Sequence, residues 1–265
     1  MLLPIGDDDS RLSGLALVTW GLILVNVLVF FFLQGGAGGE AFTYGWSVVP
    51  REITEGIDLV RAQTTAFEGK RVTIPQAPGP SPIYLTMLSA LFMHGGLMHL
   101  LGNLLYLWIF GDNVEHRFGS VPFLVFYLAS GLVATLAQIA LDPSSIIPNL
   151  GASGAISGVL GAYLVLFPTN KVRVLFFLFI FTVPAVFAIG LWIVFQLISG
   201  YGALVVSDGM MGGVAYGAHI GGFFAGVVLA FVLRVFIKEE PKNIFTEAPE
   251  TYRPQRYYYR TRRYR

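Results

Sequence analysis

The feature that most restricts the fold of this chain is a series of long apolar runs that contain few charged residues. A transmembrane helix needs about 20 consecutive apolar residues, within a range of roughly 17–25. Because backbone polar groups must bond internally in lipid, such runs are expected to be helices. We identify six: about Leu15–Leu33, Leu97–Phe110 with an apolar approach from Ile83, Val121–Leu141, Ser153–Phe167, Val172–Ser199 and Gly213–Ile237. The predicted fold is an all-α membrane protein, a compact bundle of six transmembrane helices whose short fourth helix starts inside the membrane.

Composition agrees with a membrane protein. Only 12 % of the residues are charged and 55 % are hydrophobic, whereas a soluble domain is usually about a quarter charged. The chain has no cysteine, which excludes disulfides, thiolate catalysis and thiolate metal sites. The first ten residues carry Asp7, Asp8 and Asp9 and no basic cluster, so they do not resemble a cleaved signal peptide.

Lysine and arginine predict the orientation. The short loops 142–152 and 200–212 contain neither residue, while Arg117, Lys171 and Arg173 fall in loops on the other side. Basic residues favour the cytoplasmic side, so we expect both termini to be cytoplasmic. The predicted organisation is a cytoplasmic N-terminus (1–14), a six-helix membrane domain (15–237) with a long outer loop (34–82), and a disordered basic cytoplasmic tail (238–265). We favour an interface-packed outer loop over a soluble insertion, and an ordinary positive-inside tail over a lipid-binding one.

Ser153 is the first candidate for chemistry. It lies in Gly151-Ala152-Ser153-Gly154, which follows a Pro-Asn-Leu break and opens the fourth helix. The unpaired N–H groups and the dipole of a helix N-terminus stabilise negative charge, so this position suits a nucleophile and the oxyanion that it creates. By itself the tetrapeptide is weak, because small residues also suit packed transmembrane helices.

His219 is the candidate partner of Ser153. Gly222 and Gly226 share its helical face, and small residues allow close helix approach. The fourth helix offers a matching face beginning at Gly154, so packing the two helices would bring His219 to the serine. A serine and a neutral imidazole within hydrogen-bond reach can form a catalytic dyad. The alternatives are a histidine bonded to a neighbouring carbonyl and glycines that serve packing alone.

His99 and Asn103 form a second polar pair. They are four residues apart, so both face the same side of the second helix. The Asn103 amide could donate to an oxyanion together with the Ser153 backbone N–H, or the pair could be an interhelical polar clasp. His94, His99 and His219 could in principle meet at a metal, but no intramembrane carboxylate and no His-Glu-x-x-His motif accompanies them. We therefore expect no metal and no cofactor.

Together these motifs resemble the rhomboid family of intramembrane serine proteases, in its six-helix bacterial form. The resemblance covers about residues 83–235. It rests on His94-Gly95-Gly96-Leu97-Met98-His99-Leu100-Leu101-Gly102-Asn103, Phe110-Gly111-Asp112-Asn113-Val114-Glu115 with Gly119, Gly151-Ala152-Ser153-Gly154, and Ala218-His219-Ile220-Gly221-Gly222-Phe223-Phe224-Ala225-Gly226, in the family's order.

The resemblance assigns roles residue by residue. It implies that Ser153 is the nucleophile, His219 the general base, and His99 and Asn103 the oxyanion-stabilising pair. Supporting positions that match are Gly151, Gly154, His94, Gly222, Gly226, Glu115 and Gly119. Two features depart from the pattern: Ser157 stands where some members have an aromatic residue that packs on the catalytic histidine, and Trp46 and Arg51 are not an adjacent pair. His219 must therefore be oriented by another group.

The implied function is an intramembrane serine endopeptidase that cleaves transmembrane segments through an acyl-enzyme. Its partners would be transmembrane protein substrates and the lipid bilayer, with no nucleic acid, and its site would open to the outer side. The fifth helix, with Pro184 as a possible kink, would gate the site and loop 200–212 would cap it. Two alternatives are a catalytically silent relative that binds or escorts transmembrane proteins, and a transporter or channel. A transporter predicts ionisable residues across several helices or an inverted repeat, which the sequence lacks. The substrate and oligomeric state are left open.

Overall fold

The computed structural model describes residues 3–8, 14–67, 70–205 and 214–237, and most of them are helical. The helices are α1 (Leu17–Leu28, continued by a π-helical turn over Val29–Leu33), α2 (Glu40–Trp46), α3 (Pro50–Glu55), α4 (Thr86–Ser89), α5 (Leu97–Phe118), α6 (Ser120–Leu141), α7 (Ser153–Leu166), α8 (Ala185–Val205) and α9 (Tyr216–Phe236). The strands are β1 (Leu3–Gly6), β2 (Gln63–Phe67), β3 (Lys70–Ile74), β4 (Lys171–Phe176) and β5 (Phe179–Pro184). The predicted tail and residues 206–212 of the predicted cap lie outside the described residues.

Several helices have the length and apolar character of membrane spans. Among the described residues α6, α8 and α9 do so alone, and α5 does so together with the segment Ile83–Phe92. The stretch Leu17–Leu33 and helix α7 are apolar but shorter. The chain is therefore a mostly helical, multi-pass membrane protein. Length and composition support three or four spans, and the number six stays a prediction.

The second predicted span is not one continuous helix. The segment Ile83–Phe92 does not extend α5 but is bent away from it by 74°. The break falls where Met93 takes an extended conformation (φ −104°, ψ 155°) and Gly96 is also extended. The sequence carried a signal for the bend, because His94-Gly95-Gly96 interrupts the apolar run at this point and Gly-Gly pairs mark turns.

The fifth predicted span is wrong in its first half. Residues 171–184 form an antiparallel hairpin in which Lys171 pairs with Pro184 and Phe176 with Phe179. β-branched and aromatic residues favour strands, and a short apolar run does not by itself distinguish strand from helix. Pro184 ends β5 directly before α8, so it is not a kink within a helix. Proline is tolerated at the start of a helix, because the N–H that it lacks would have no partner within the helix.

The predicted all-α fold also carries two small sheets. Strand β1 pairs with β4 to give a three-stranded sheet of order β1-β4-β5, and β2 pairs with β3 inside the long loop 34–82. β1 packs against α5, whereas β4 and β5 pack against α8. The sheet therefore joins these two helices, and Val174 of β4 lines a cavity of about 270 Å³ together with Tyr106 of α5 and Trp192 of α8.

Helix α7 forms the centre of the bundle. Every residue from Gly154 to Tyr163 is buried. Its closest neighbour is α9, because a Cβ added at Gly222 or Gly226 would overlap the carbonyl oxygen of Gly154 or Gly158. Only glycine lets two backbones approach this closely. The contact between α7 and α9 fixes the relative position of the two helices that carry Ser153 and His219.

Candidate active site

Ser153 is the first residue of α7, and the loop before it is anchored on both sides. Val48 and Asn149 exchange backbone hydrogen bonds of 2.9 and 2.7 Å. The Gly151 N–H donates to the Ala90 carbonyl oxygen at 2.8 Å. These bonds hold the chain in place up to the start of α7, where the first N–H groups have no partner within the helix.

The Ser153 hydroxyl and the His219 ring are in hydrogen-bond contact. Ser153 Oγ lies 2.8 Å from His219 Nε2. Both side chains are partly exposed, so a ligand can reach them. Ser157, one turn along α7, is buried and donates to the Ser153 carbonyl oxygen at 2.7 Å. Ser157 therefore bonds the backbone of α7 and provides no aromatic ring that could pack on the imidazole.

The second nitrogen of His219 has a partner that the sequence analysis missed. His219 Nδ1 lies 2.9 Å from Oε1 of Gln196, a buried residue of α8. The ring of Trp192, one turn earlier on α8, lies 6.2 Å from the His219 ring at 35°. The sequence did contain a signal for this contact: Gln196 is the one amide of α8, and a buried amide requires a hydrogen-bond partner.

His99 borders the serine through Gly151. A Cβ added at Gly151 would lie 3.1 Å from His99 Nε2 and 3.4 Å from Ser153 Oγ, so both groups face the same small space. Gly151 also has φ +139°, a conformation that strains other residues. The Gly95 N–H approaches His99 Nδ1 at 3.4 Å. The structure thus brings His99, Gly151 and Ser153 together.

Asn103 and His94 lie beside His99 and are buried. Asn103 follows His99 by one turn of α5, and its Nδ2 has no hydrogen-bond partner in the part of the chain that the structure describes. His94 is fully buried, its ring lies 5.3 Å from the His99 ring, and neither of its ring nitrogens has a partner among those residues. Gln34 fixes the His94 backbone, because its amide accepts from the N–H at 2.9 Å and donates to the carbonyl at 3.0 Å.

Glu115 and Gly119 lie at the other end of α5 and do not join this site. The Glu115 carboxylate is buried and accepts from the Val18 and Thr19 N–H groups at 2.9 and 2.7 Å. It also accepts from the Ser120 hydroxyl at 2.6 Å. It therefore caps the start of α1, while Gly119, with φ +85°, makes the sharp link to α6.

Within the described ranges no group of three or more histidine, aspartate or glutamate side chains could hold a metal ion. The site consists instead of a hydroxyl, an imidazole and nearby hydrogen-bond donors, a set that suits acyl transfer.

The profile of the rhomboid domain matches residues 83–236. This match covers more than half of the chain and all the residues of the site except Gln34 and Val48. The chain belongs to the rhomboid family. Similar rhomboid proteins include Rhomboid protein 1, mitochondrial, of Saccharomyces cerevisiae, which is 31 % identical over 59 % of this chain and 44 % of its own length. Rhomboid protease GluP of Bacillus subtilis is 34 % identical over 54 % of this chain and 25 % of its own.

A plant rhomboid is similar over the same share of the chain. RHOMBOID-like protein 2 of Arabidopsis thaliana is 36 % identical over 56 % of this chain and 42 % of its own length. The matched part of the chain spans less than half the length of each of these three relatives. Membership of the rhomboid family confirms the resemblance that the sequence motifs indicated.

Proposed function

We propose that this rhomboid is an intramembrane serine endopeptidase that cleaves transmembrane segments of membrane proteins. The observation that carries the proposal is the 2.8 Å contact between Ser153 Oγ and His219 Nε2. This distance lies within the range that proton transfer to a general base requires. The relative named a protease, GluP, adds support from within the family.

The proposed chemistry is acyl transfer. His219 Nε2 takes the hydroxyl proton as Ser153 Oγ attacks a substrate carbonyl, and the same proton then passes to the leaving amine. Water hydrolyses the resulting acyl-enzyme with His219 again as the base. The Asn103 amide and the Ser153 N–H are the proposed donors to the oxyanion, and His99 assists them from across Gly151.

The proposed placement follows the sequence analysis. Helices α1 and α5–α9 would form the six-helix membrane domain, with both termini cytoplasmic and Ser153 reached from the outer side. The substrate helix would approach between α5 and α8, where the structure has a cavity of about 270 Å³ lined by Phe110, Leu160 and Phe195. The N-terminus adds β1 and the buried Asp7 to this domain, and the tail would lie outside it.

The experiment is cleavage of a single-span reporter by the purified full-length chain in liposomes. Wild type, Ser153→Ala and His219→Ala are compared, with Ser130→Ala and His116→Ala as controls that remove a hydroxyl and an imidazole elsewhere. We expect cleavage by wild type and both controls, and none by the other two variants. A fluorophosphonate probe should label wild type at Ser153. Equal cleavage by all five proteins would assign the activity to a contaminant and overturn the proposal.

The second candidate is a catalytically silent rhomboid that binds or escorts transmembrane proteins, since relatives of this chain include proteins named only rhomboid-like. Reporter binding by wild type without cleavage, together with no labelling of Ser153, would favour it. Labelling of Ser153 alone would keep the protease and direct the search to other substrates.

A further inference from the structure

Gln196 is the one amide side chain in the whole of α8. It is 5 % exposed, and its Oε1 lies 2.9 Å from His219 Nδ1. Trp192, on the same face one turn earlier, lies against the His219 ring. The imidazole therefore meets α8 at two points, a hydrogen bond at its edge and an aromatic ring at its side.

We propose that Gln196 is the positioning residue of the base: it holds His219 in the one neutral tautomer that can accept the proton of Ser153. The inference rests on the proposed function and goes beyond it, because it extends a Ser-His pair to a third residue on another helix. A carbonyl oxygen can only accept a hydrogen bond. With Oε1 of the amide facing the ring, His219 Nδ1 carries the proton of the neutral ring, which leaves the lone pair of Nε2 directed at the Ser153 hydroxyl.

The other tautomer cannot act as the base. With its proton on Nε2 the ring would donate to Ser153 Oγ and have no lone pair for the hydroxyl proton. An imidazole without an orienting partner populates both forms and can also rotate. Since Ser157 supplies no aromatic contact at the position where some rhomboids have one, the hydrogen bond from α8 takes over the orientation of His219.

Gln196 lies on a different helix from Ser153 and His219. Ser153 and His219 lie on α7 and α9, whose backbones touch at Gly154 and Gly222. Helix α8 lines most of one side of the cavity of about 270 Å³, to which α7 contributes Leu160. Because a hydrogen bond is lost beyond about 3.5 Å, a displacement of α8 by about 1 Å away from α9 would release the ring. The base is therefore complete only while α8 is packed against α9.

The test replaces the acceptor and keeps the rest of α8. Gln196→Leu removes the carbonyl, Gln196→Met does so with an unbranched side chain if the first variant folds poorly, and Gln196→Glu retains an acceptor oxygen. Gly190→Ala is the control on α8, because a Cβ there meets nothing within 4 Å. Reporter cleavage in liposomes should show kcat lower by about 10- to 100-fold in Gln196→Leu with KM unchanged. Gln196→Glu should recover most of the loss, and Gly190→Ala should match wild type.

A spectroscopic measurement on the full-length chain needs no substrate. ¹⁵N NMR of histidine-labelled protein, with the His219 signal assigned by its loss in His219→Gln, should show a ring protonated at Nδ1 in wild type. The signal should shift toward the Nε2-protonated form in Gln196→Leu. If Gln196→Leu shows the wild-type tautomer signal and a wild-type kcat, the proposal is overturned. It is also overturned if the activity of this variant falls only in proportion to the amount of folded protein. Failure of the proposed function would appear separately, as absent cleavage and absent Ser153 labelling in wild type.

Discussion

Polar groups gather at both ends of α5 and α7, and the two clusters differ in how far their hydrogen bonds are satisfied. At one end Glu115 accepts three hydrogen bonds, and Asp7 accepts from Asn113 and Tyr163. At the other end the Asn103 amide nitrogen and the His94 ring have no partner among the described residues. Buried polar groups in native structures are usually paired. The carboxylates at the first end bond within the bundle, although Thr19 Oγ1 beside them has no partner among the same residues, whereas the Asn103 amide at the other end has a donor free for a ligand.

Among the variants that test this comparison, Asn103→Ala should have the largest effect. Loss of one oxyanion donor lowers the rate by about 10²–10³, and because Asn103 Nδ2 has no partner in the described structure, the unfolding midpoint should not fall. Reporter kinetics and thermal unfolding in the same detergent measure both. Asn26→Ala is the matched control: its Nδ2 donates to the Leu22 carbonyl oxygen at 2.7 Å, so it should lose about 1 kcal/mol of stability and keep its rate. Full wild-type turnover by Asn103→Ala would refute the oxyanion role.

Glu115→Ala should show the opposite behaviour. It leaves the part-buried N–H of Val18 and the buried N–H of Thr19 without an acceptor, so we expect a loss of about 2–3 kcal/mol in the free energy of unfolding. Activity per folded molecule should stay near that of wild type. Denaturation curves with activity normalised to folded protein test this, and Glu40→Ala, at an exposed position, should be neutral. A stable Glu115→Ala protein with reduced turnover would show that this cluster is not only structural.

Glu52 should make stability depend on pH. Burial raises the pKa of this carboxyl from 4.5 to about 7, the Leu59 N–H opposes the rise, and the charge of Asp58 adds to it. The folded chain binds this proton more tightly than the unfolded chain, so the stabilisation is complete below about pH 4.5 and is lost as pH rises through about 7. Glu52→Gln should flatten the unfolding profile over this range. Glu55→Gln, at an exposed position on the same helix, should leave it unchanged; if both variants follow wild type, Glu52 does not titrate as expected.

Tyr163→Phe should have the smallest effect. It removes the hydroxyl that donates to Asp7 and accepts from Asn170, while Asn113 continues to bond Asp7. We expect a loss of about 1 kcal/mol in the free energy of unfolding with unchanged turnover. Calorimetry in detergent measures the loss, and Tyr201→Phe, at an exposed hydroxyl of α8, is the control. A loss as large as that of Glu115→Ala would mean that the cluster depends on this hydroxyl far more than its partners indicate.

The sequence predicted much of the bundle and part of the site. Helical spacing placed Gly222 and Gly226 on the face of His219, and the structure packs that face on α7 with Ser153 beside the ring. The sequence did not predict the β4–β5 hairpin, because apolar residues in lipid-facing helices and in strands look alike over six residues. It indicated only that Glu115 has a structural role after the second helix, since two of the three partners of this carboxylate lie 97 and 96 residues away.

Membership of the rhomboid family and the choice of Ser153 and His219 as candidates follow from the sequence alone, because they depend on residue types within short motifs. Only the tertiary structure determined what surrounds them. The partner of His219 Nδ1 lies 23 residues away on α8, and β1 reaches β4 across most of the chain. Such contacts are set by how whole helices and strands pack, and local periodicity carries no information about which distant side chain completes a hydrogen bond.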